Sequence, residues 1–252
     1  MDKRYGAVKV LEGATLRLRA GEVHTLMGQN GAGKSTLIKV LTGVVPADGG
    51  TLALAGAAIA PDSPIAAQRL GISTVYQEVN LCPNLTVAEN IFAGRYPRRG
   101  WSRLKAIDGP RMREETRALL ARLHLDIDPS QLLGRLPVAM QQLVAIARAL
   151  SVQAKVLILD EPTSSLDEDE VQHLFGILRQ LREAGLAILF VTHFLDQVYA
   201  IADRITVLRN GRFVGEWTPA QLPAPALVAA MVGRDVALAS ASADGVAAQT
   251  HA

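Results

Sequence analysis

The sequence predicts an α/β fold in which a parallel sheet is covered by helices. Three observations carry that expectation. Val156-Leu157-Ile158-Leu159 is a run of four apolar residues, as in a strand buried on both faces. From there to Arg209, strand-like and helix-like segments alternate. Near the start of the chain, a glycine-rich turn from Gly28 to Ser35 sits between a strand candidate and a helix candidate. The 252 residues suffice for one large domain or two small ones.

The elements follow in order. Thr15 to Arg19 has period two, with Leu16 and Leu18 on one face, and reads as a strand. Val23 to Met27 is a second strand. Lys34 to Thr42 reads as a helix with Leu37, Ile38, Val40 and Leu41 on one face and Gly43 as its C-terminal stop. Thr51 to Ala55 and Ile72 to Tyr76 are further strands, joined by a loop that holds Pro61 and Pro64. Residues 81–150 then read as helical. Thr86 caps a short helix through Phe92, and Arg95 to Gly109 is a basic connection. Arg111 to His124 is amphipathic, with Met112, Leu119, Leu120 and Leu123 inward, and a further helix runs from Ala139 to Leu150. After the strand at Val156 come a helix (Glu168 to Glu183), a strand (Ala187 to Val191), a helix (Leu195 to Ile201) and a strand (Ile205 to Arg209). Residues 234–252 are Ala- and Ser-rich and read as a disordered tail. The division is therefore residues 1–80 with 151–233 as one core, and 81–150 as an inserted helical block.

Composition narrows the function. Lys and Arg total 26 against 24 Asp and Glu, a net charge of +2, which gives no electrostatic case for nucleic acid. Aromatics at 4% also argue against a base-stacking surface. The single cysteine, Cys82, cannot form an internal disulfide. No apolar run approaches the ~18 residues of a membrane helix, and the first residues lack the apolar stretch of a signal peptide. The expectation is a soluble, intracellular chain. Neither His24, His124, His173, His251 nor Cys82 shows metal-ligand spacing.

Gly28-Gln29-Asn30-Gly31-Ala32-Gly33-Lys34-Ser35 fits the G-x-x-x-x-G-K-[ST] phosphate loop. Glycines let backbone N–H groups turn inward around a phosphate, and the helix that follows adds the positive end of its dipole. Lys34 is expected on the β- and γ-phosphates and the Ser35 hydroxyl on Mg²⁺. A buried strand ending in Asp160-Glu161 places two carboxylates at the carboxyl edge of the sheet, where open α/β folds bind ligands. Asp160 suits the magnesium-holding role. Glu161 suits a general base for attack on the γ-phosphate.

Together these motifs resemble the nucleotide-binding domain of an ATP-binding-cassette (ABC) transporter, over residues 5 to about 233. The resemblance implies a P-loop NTPase with a RecA-like core, an antiparallel β subdomain and an inserted α-helical subdomain. It implies ATP and Mg²⁺ as cofactors. Gly28, Asn30, Gly31, Gly33, Lys34, Ser35, the adjoining Thr36 and Asp160 would hold the nucleotide. Val75-Tyr76-Gln77-Glu78 resembles the Q-loop, with Gln77 on Mg²⁺ or the attacking water. Val191-Thr192-His193 resembles the switch segment, with His193 on the γ-phosphate. Tyr5 matches the aromatic position that stacks on adenine. Ser164-Ser165-Leu166-Asp167 resembles the D-loop of the dimer interface.

The family signature, Leu-Ser-Gly-Gly-Gln, is replaced here by Leu136-Pro137-Val138-Ala139-Met140. Pro137 brings neither a hydroxyl nor an N–H. The implied head-to-tail dimer would place this signature on the partner cassette's ATP, so the substitution weighs on the partner's site. Gly94-Arg95-Tyr96-Pro97 and Asp126-Ile127-Asp128-Pro129 resemble importers of the ribose, galactose and galactofuranose class. Such ATPases carry two cassettes in one chain, and this sequence reads as one, with a linker remnant after Gly233.

The implied function is ATP hydrolysis that energises monosaccharide import from the cytoplasmic face of the inner membrane. The implied partners are permease subunits, a second cassette in a homo- or heterodimer and, indirectly, a sugar-binding protein. A binding-only or weakly hydrolysing half cassette is the alternative. A soluble cassette acting on ribosomes or DNA would bring basic patches or long insertions, and neither appears. A GTPase would need Asn-Lys-x-Asp, which is absent.

Overall fold

Alternation along the central strands divides the interior into two layers. In the computed structural model, which describes residues 1–76, 81–99 and 106–233, Leu157, Leu159, Ile188 and Phe190 point to one face of the sheet. Val156, Ile158, Ala187, Leu189 and Val191 point to the other. Both faces are covered, so the strands are apolar throughout.

The elements run in chain order. An antiparallel hairpin, β1 (Lys3–Tyr5) and β2 (Val8–Leu11), precedes β3 (Val23–Met27) and α1 (Lys34–Leu41). A second hairpin, β4 (Leu52–Leu54) and β5 (Ala57–Ile59), leads through α2 (Pro64–Leu70) to β6 (Ile72–Val75). Then come α3 (Val87–Ile91), the short pair β7 (Arg98–Arg99) and β8 (Ala106–Ile107), α4 (Gly109–Arg122) and α5 (Val138–Leu150). The last part is β9 (Val156–Asp160), α6 (Glu168–Glu183), β10 (Ala187–Val191), α7 (Leu195–Ile201), β11 (Arg204–Arg209), β12 (Arg212–Trp217) and α8 (Ala224–Val232).

The main sheet has six strands in the order β12-β11-β3-β10-β9-β6, all parallel except β12. Helices α4, α5 and α6 supply the core on one face, where Phe175 meets Phe190 edge-on at 5.9 Å. Helices α1 and α2 cover the other. A third cluster packs Met27, Ile205 and Val207 against Val198 of α7 and Leu227 of α8. No helix among the described residues is long and apolar enough to cross a membrane.

The structure corrects several sequence expectations. Thr15 to Arg19 is not a strand: Leu16 and Leu18 do turn toward the core, but no ladder partner pairs with the segment. The period-two pattern recorded burial alone. The stretch holding Pro61 and Pro64 contains α2, because Ser63 accepts from the Ala66 amide as an N-cap and Pro64 occupies the first turn. The basic connection contributes β7 and β8. The amphipathic helix starts at Gly109, capped by Asp108, and stops at Arg122, where His124 turns left-handed. Past the last strand read from the sequence, the chain forms β12 and α8, elements the periodicity did not mark. The expected tail at 234–252 lies outside the described residues.

One buried polar group sets a pH response. His24 on β3 is fully buried, with Nε2 2.7 Å from the Thr206 hydroxyl and Nδ1 without a partner. Burial lowers its pKa to about 4; Glu216 pulls the other way, and Arg19 and Arg204 add to the lowering. The unfolded chain takes up this proton near pH 6.5, the folded chain only near 4. Stability contributed here is thus complete above about pH 6.5 and declines as pH falls toward 4. Between pH 7 and 5 the loss is about 2 kcal/mol at ~1.4 kcal/mol per pH unit. Urea melts of wild type and His24→Asn should show their stability gap shrinking by about that amount. A constant gap would contradict it.

Candidate functional site

The phosphate loop joins β3 to α1 and is held open by close backbone packing. A Cβ on Gly28 would sit 2.4 Å from the Leu208 carbonyl oxygen, and one on Gly33 2.7 Å from Leu11 Cδ2. Both glycines have positive φ, 155° and 102°. No other residue type fits these two positions. The result is a pocket of about 260 Å³ lined by Val10 and by Asn30 through Thr36.

Lys34 points back into this loop. Its Nζ donates to the carbonyls of Gly28 at 2.6 Å and Gln29 at 3.2 Å. Burial lowers the lysine pKa, while the carboxylates of Glu161 and Asp160 raise it. Asp160, at the end of β9, is shifted upward by burial first and by Glu161 next, with Lys34 and Lys39 opposing. Lys34, Asp160 and Glu161 therefore share one electrostatic site.

Glu161 follows β9 directly and is left-handed, at φ 52°. Such a conformation in a non-glycine residue is a local strain of about 1 kcal/mol, of the kind found at functional sites. Its amide donates to the Val191 carbonyl at 2.9 Å, which locks it to the end of β10. The carboxylate Oε2 lies 2.8 Å from His193 Nδ1. His193 is otherwise exposed, and the Phe194 ring flanks it at 4.0 Å. β9 and β10 are paired as neighbours, with Val191 opposite Asp160, so sheet register alone brings Asp160, Glu161 and His193 together.

The remaining expected site residues are placed as follows. Tyr5 ends β1, is 45% exposed and has the Lys3 ammonium 5.6 Å from its ring centroid. Ser35 and Thr36 open α1 at the pocket, a hydroxyl set suited to a hard cation. Among the described residues no cluster of three or more His, Cys, Asp or Glu forms a metal cage, so a cation here would rest on Ser35, Asp160 and phosphate oxygens. Asp167 caps α6, accepting from the Glu170 amide at 2.9 Å.

Pro137 is the N-cap of α5 with no side-chain cap. Leu136 accepts from the Gln141 side chain at 2.9 Å, Val138 is 54% exposed, and Ala139 is buried. None of the four lines the phosphate pocket. Gln77 lies outside the described residues. Sequence reading missed Val10, which lines the pocket, and the threonine–glutamine cluster formed by Thr163, Thr192 and Gln197. A lone valine or glutamine at these places carries no motif.

A glycine loop at the strand-to-helix turn after β3, with two carboxylates at the same edge of the sheet on β9 beyond β10, defines a nucleotide-binding α/β cassette. Residues 11–164 match the ABC transporter family, and the chain belongs to it.

Among its relatives is the galactofuranose transporter ATP-binding protein YtfR of Escherichia coli. It is 53% identical over 237 residues, 94% of this chain and 46% of that protein. The fructose import ATP-binding protein FruK of Bifidobacterium longum is 50% identical over 234 residues, 92% of this chain and 45% of that one. The chain thus spans about half the length of the relatives it matches. Among solved structures, an ATP-binding cassette of an ABC transporter in its ADP conformation superposes with a TM-score of 0.78. It is 25% identical and covers 95% of each chain. The cassette cbiO1 of Clostridium perfringens gives 0.75 at 25% identity, over 96% of this chain and 95% of that one.

Proposed function

We propose that this chain hydrolyses ATP to drive import of a monosaccharide through a membrane permease. The observation that carries the reading is the convergence of Lys34, Asp160, Glu161 and His193 at one end of the sheet, beside a loop shaped for phosphate. The sugar rests on the names of relatives that act in galactofuranose, ribose and fructose systems.

In this reading the amides of Asn30 to Ser35 and the Lys34 ammonium hold the β- and γ-phosphates. The Ser35 hydroxyl and Asp160 would hold a Mg²⁺, which when bound would supply neutralisation of phosphate charge. Glu161 takes the proton from the attacking water. His193 Nδ1 steadies the Glu161 carboxylate and keeps the imidazole close to the γ-phosphate. Gln77 polarises the same water, and Tyr5 stacks on the adenine.

Residues 1–80 with 151–233 form the ATP-binding core. The helical block, 81–150, docks the permease at the cytoplasmic face of the membrane. A second cassette completes the site through Leu136 to Ala139 and Asp167. A sugar-binding protein delivers the substrate to the permease.

A second reading, a weakly hydrolysing cassette, is favoured by Pro137. The start of α5 offers the amides of Val138 and Ala139 but no hydroxyl and no N–H at the cap. One experiment serves both readings. The chain is reconstituted with its permease in vesicles, and ATP hydrolysis is measured with uptake of labelled galactofuranose, ribose or fructose. Sugar-stimulated hydrolysis with uptake is expected; hydrolysis without uptake of any of them would remove the sugar assignment. Pro137→Ser should raise the rate several-fold, by adding one charge-assisted hydrogen bond to phosphate. An unchanged rate would reject the second reading.

A further inference from the structure

The two loops that carry Glu161 and His193 are joined by a polar junction behind the site. The Phe194 amide donates to Thr192 Oγ1 at 3.2 Å. Thr192 Oγ1 in turn donates to Gln197 Oε1 at 3.2 Å. Thr163 Oγ1, from the loop that begins at Glu161, donates to the same Gln197 oxygen at 2.7 Å. Thr163 and Thr192 are buried, 3% and 1% exposed, so water does not supply alternative partners. A chain of donors ending on one carbonyl oxygen polarises itself, and each bond strengthens its neighbour.

We propose that Gln197 is a positioning residue that holds the Glu161 loop and the His193 segment in a single register. Thr163 lies two residues after Glu161, and Thr192 immediately precedes His193. The Ser164 and Leu166 amides close back onto Glu161 and Thr163 at 3.3 and 3.2 Å, so the loop between them has little slack. Moving either hydroxyl away from Gln197 shifts the group that carries the 2.8 Å contact between Glu161 and His193. Gln197 sits in the first turn of α7, so the position of that helix against the sheet is transmitted to both loops. It does not line the phosphate pocket, and acts only through the two threonines.

The inference rests on the hydrolytic reading of the site, and its test separates the two. Gln197→Met keeps the length and removes the acceptor. Gln197→Glu keeps acceptor oxygens of the same reach. For the full chain, kcat and KM for ATP are measured alongside thermal melting and amide hydrogen exchange. Gln197→Met should lower kcat about 10- to 100-fold, the cost of a misplacement near 1 Å, with KM little changed and melting lowered by only a few degrees for the two buried hydroxyls left without an acceptor. Gln197→Glu should restore most of the rate. Exchange at Phe194 and across residues 161–166 should rise in the Met variant while β3 stays protected.

A wild-type chain with no hydrolysis even when reconstituted with its permease defeats the functional reading. The exchange pattern then decides the inference by itself. Unchanged exchange in both loops overturns it. So does a fall in kcat that Gln197→Glu fails to rescue, or one that accompanies an equal loss of ATP binding.

Discussion

Lys34→Ala is expected to weaken ATP binding about 100-fold, read by titration with a fluorescent ATP analogue, while leaving the melting temperature nearly unchanged. A charge-assisted hydrogen bond from an ammonium to phosphate is worth roughly 1.5–3 kcal/mol, and each 1.4 kcal/mol is a factor of ten. Lys34 has no carboxylate within ion-pair distance among the described residues; its Nζ rests on the carbonyls of Gly28 and Gln29. Those neutral acceptors hold the ammonium at the loop, Glu161 and Asp160 offset its charge only from beyond ion-pair distance, and a phosphate would satisfy it better. Removing the side chain costs little in the free protein, because the Gln29 carbonyl is exposed and the bond to the Gly28 carbonyl is only part-buried. The asymmetry between lost binding and kept stability marks a binding group. Equal loss of both would make Lys34 a structural strut, and unchanged affinity would remove it from the site.

The elements legible in the sequence were those with strong local grammar. The helices at Lys34, Val87, Glu168 and Leu195 and the strands at Val23, Val156 and Ala187 stand where periodicity and caps placed them. Thr86 with Glu89 and Asp167 with Glu170 form complete capping boxes, each worth about 1 kcal/mol. The parallel sheet followed from the apolar runs, since only strands covered on both faces are apolar at every position.

The features missed are those in which tertiary pairing decides. β1, β2 and β5 are short and half-exposed, and nothing in three or four residues marks them apart from loops. β12 had a local signal that went unread: Asn210-Gly211 with φ 51° and 76° is the two-residue turn that returns β11 antiparallel. Conversely Thr15 to Arg19 shows strand periodicity with no partner to pair with.

The site divides in the same way. Lys34, Asp160 and Glu161 were visible because their chemistry requires fixed neighbours in sequence. Gln197 was not, because its partners lie 34 and 5 residues away and meet it only through the fold.

Glu161→Gln should lower ATP hydrolysis at least 100-fold, in single-turnover measurements, while ATP affinity stays within about twofold of wild type. The substitution changes one oxygen for an amide nitrogen and leaves the shape alone. The left-handed backbone at φ 52° and the amide bond to the Val191 carbonyl are indifferent to it, so the loop is retained. Two things are lost. The neutral amide cannot accept a proton from water, and the negative charge beside Lys34 and Asp160 disappears.

The second loss acts on the neighbours in a known direction. Glu161 helps to raise the Asp160 pKa and to raise that of Lys34 against burial. Without it, Asp160 ionises more readily and the Lys34 ammonium loses support. These shifts oppose each other in their effect on a bound phosphate and cation, which is why affinity is expected to hold while the rate collapses. Glu161→Asp tests the same point through geometry: it keeps the base but withdraws it by one methylene from His193 Nδ1, now 2.8 Å away. A rate between those of wild type and Glu161→Gln would show that basicity and placement both matter. If Glu161→Gln loses less than tenfold, water is activated elsewhere and Glu161 is a charge holder, whereas a parallel fall in ATP affinity would place it in binding.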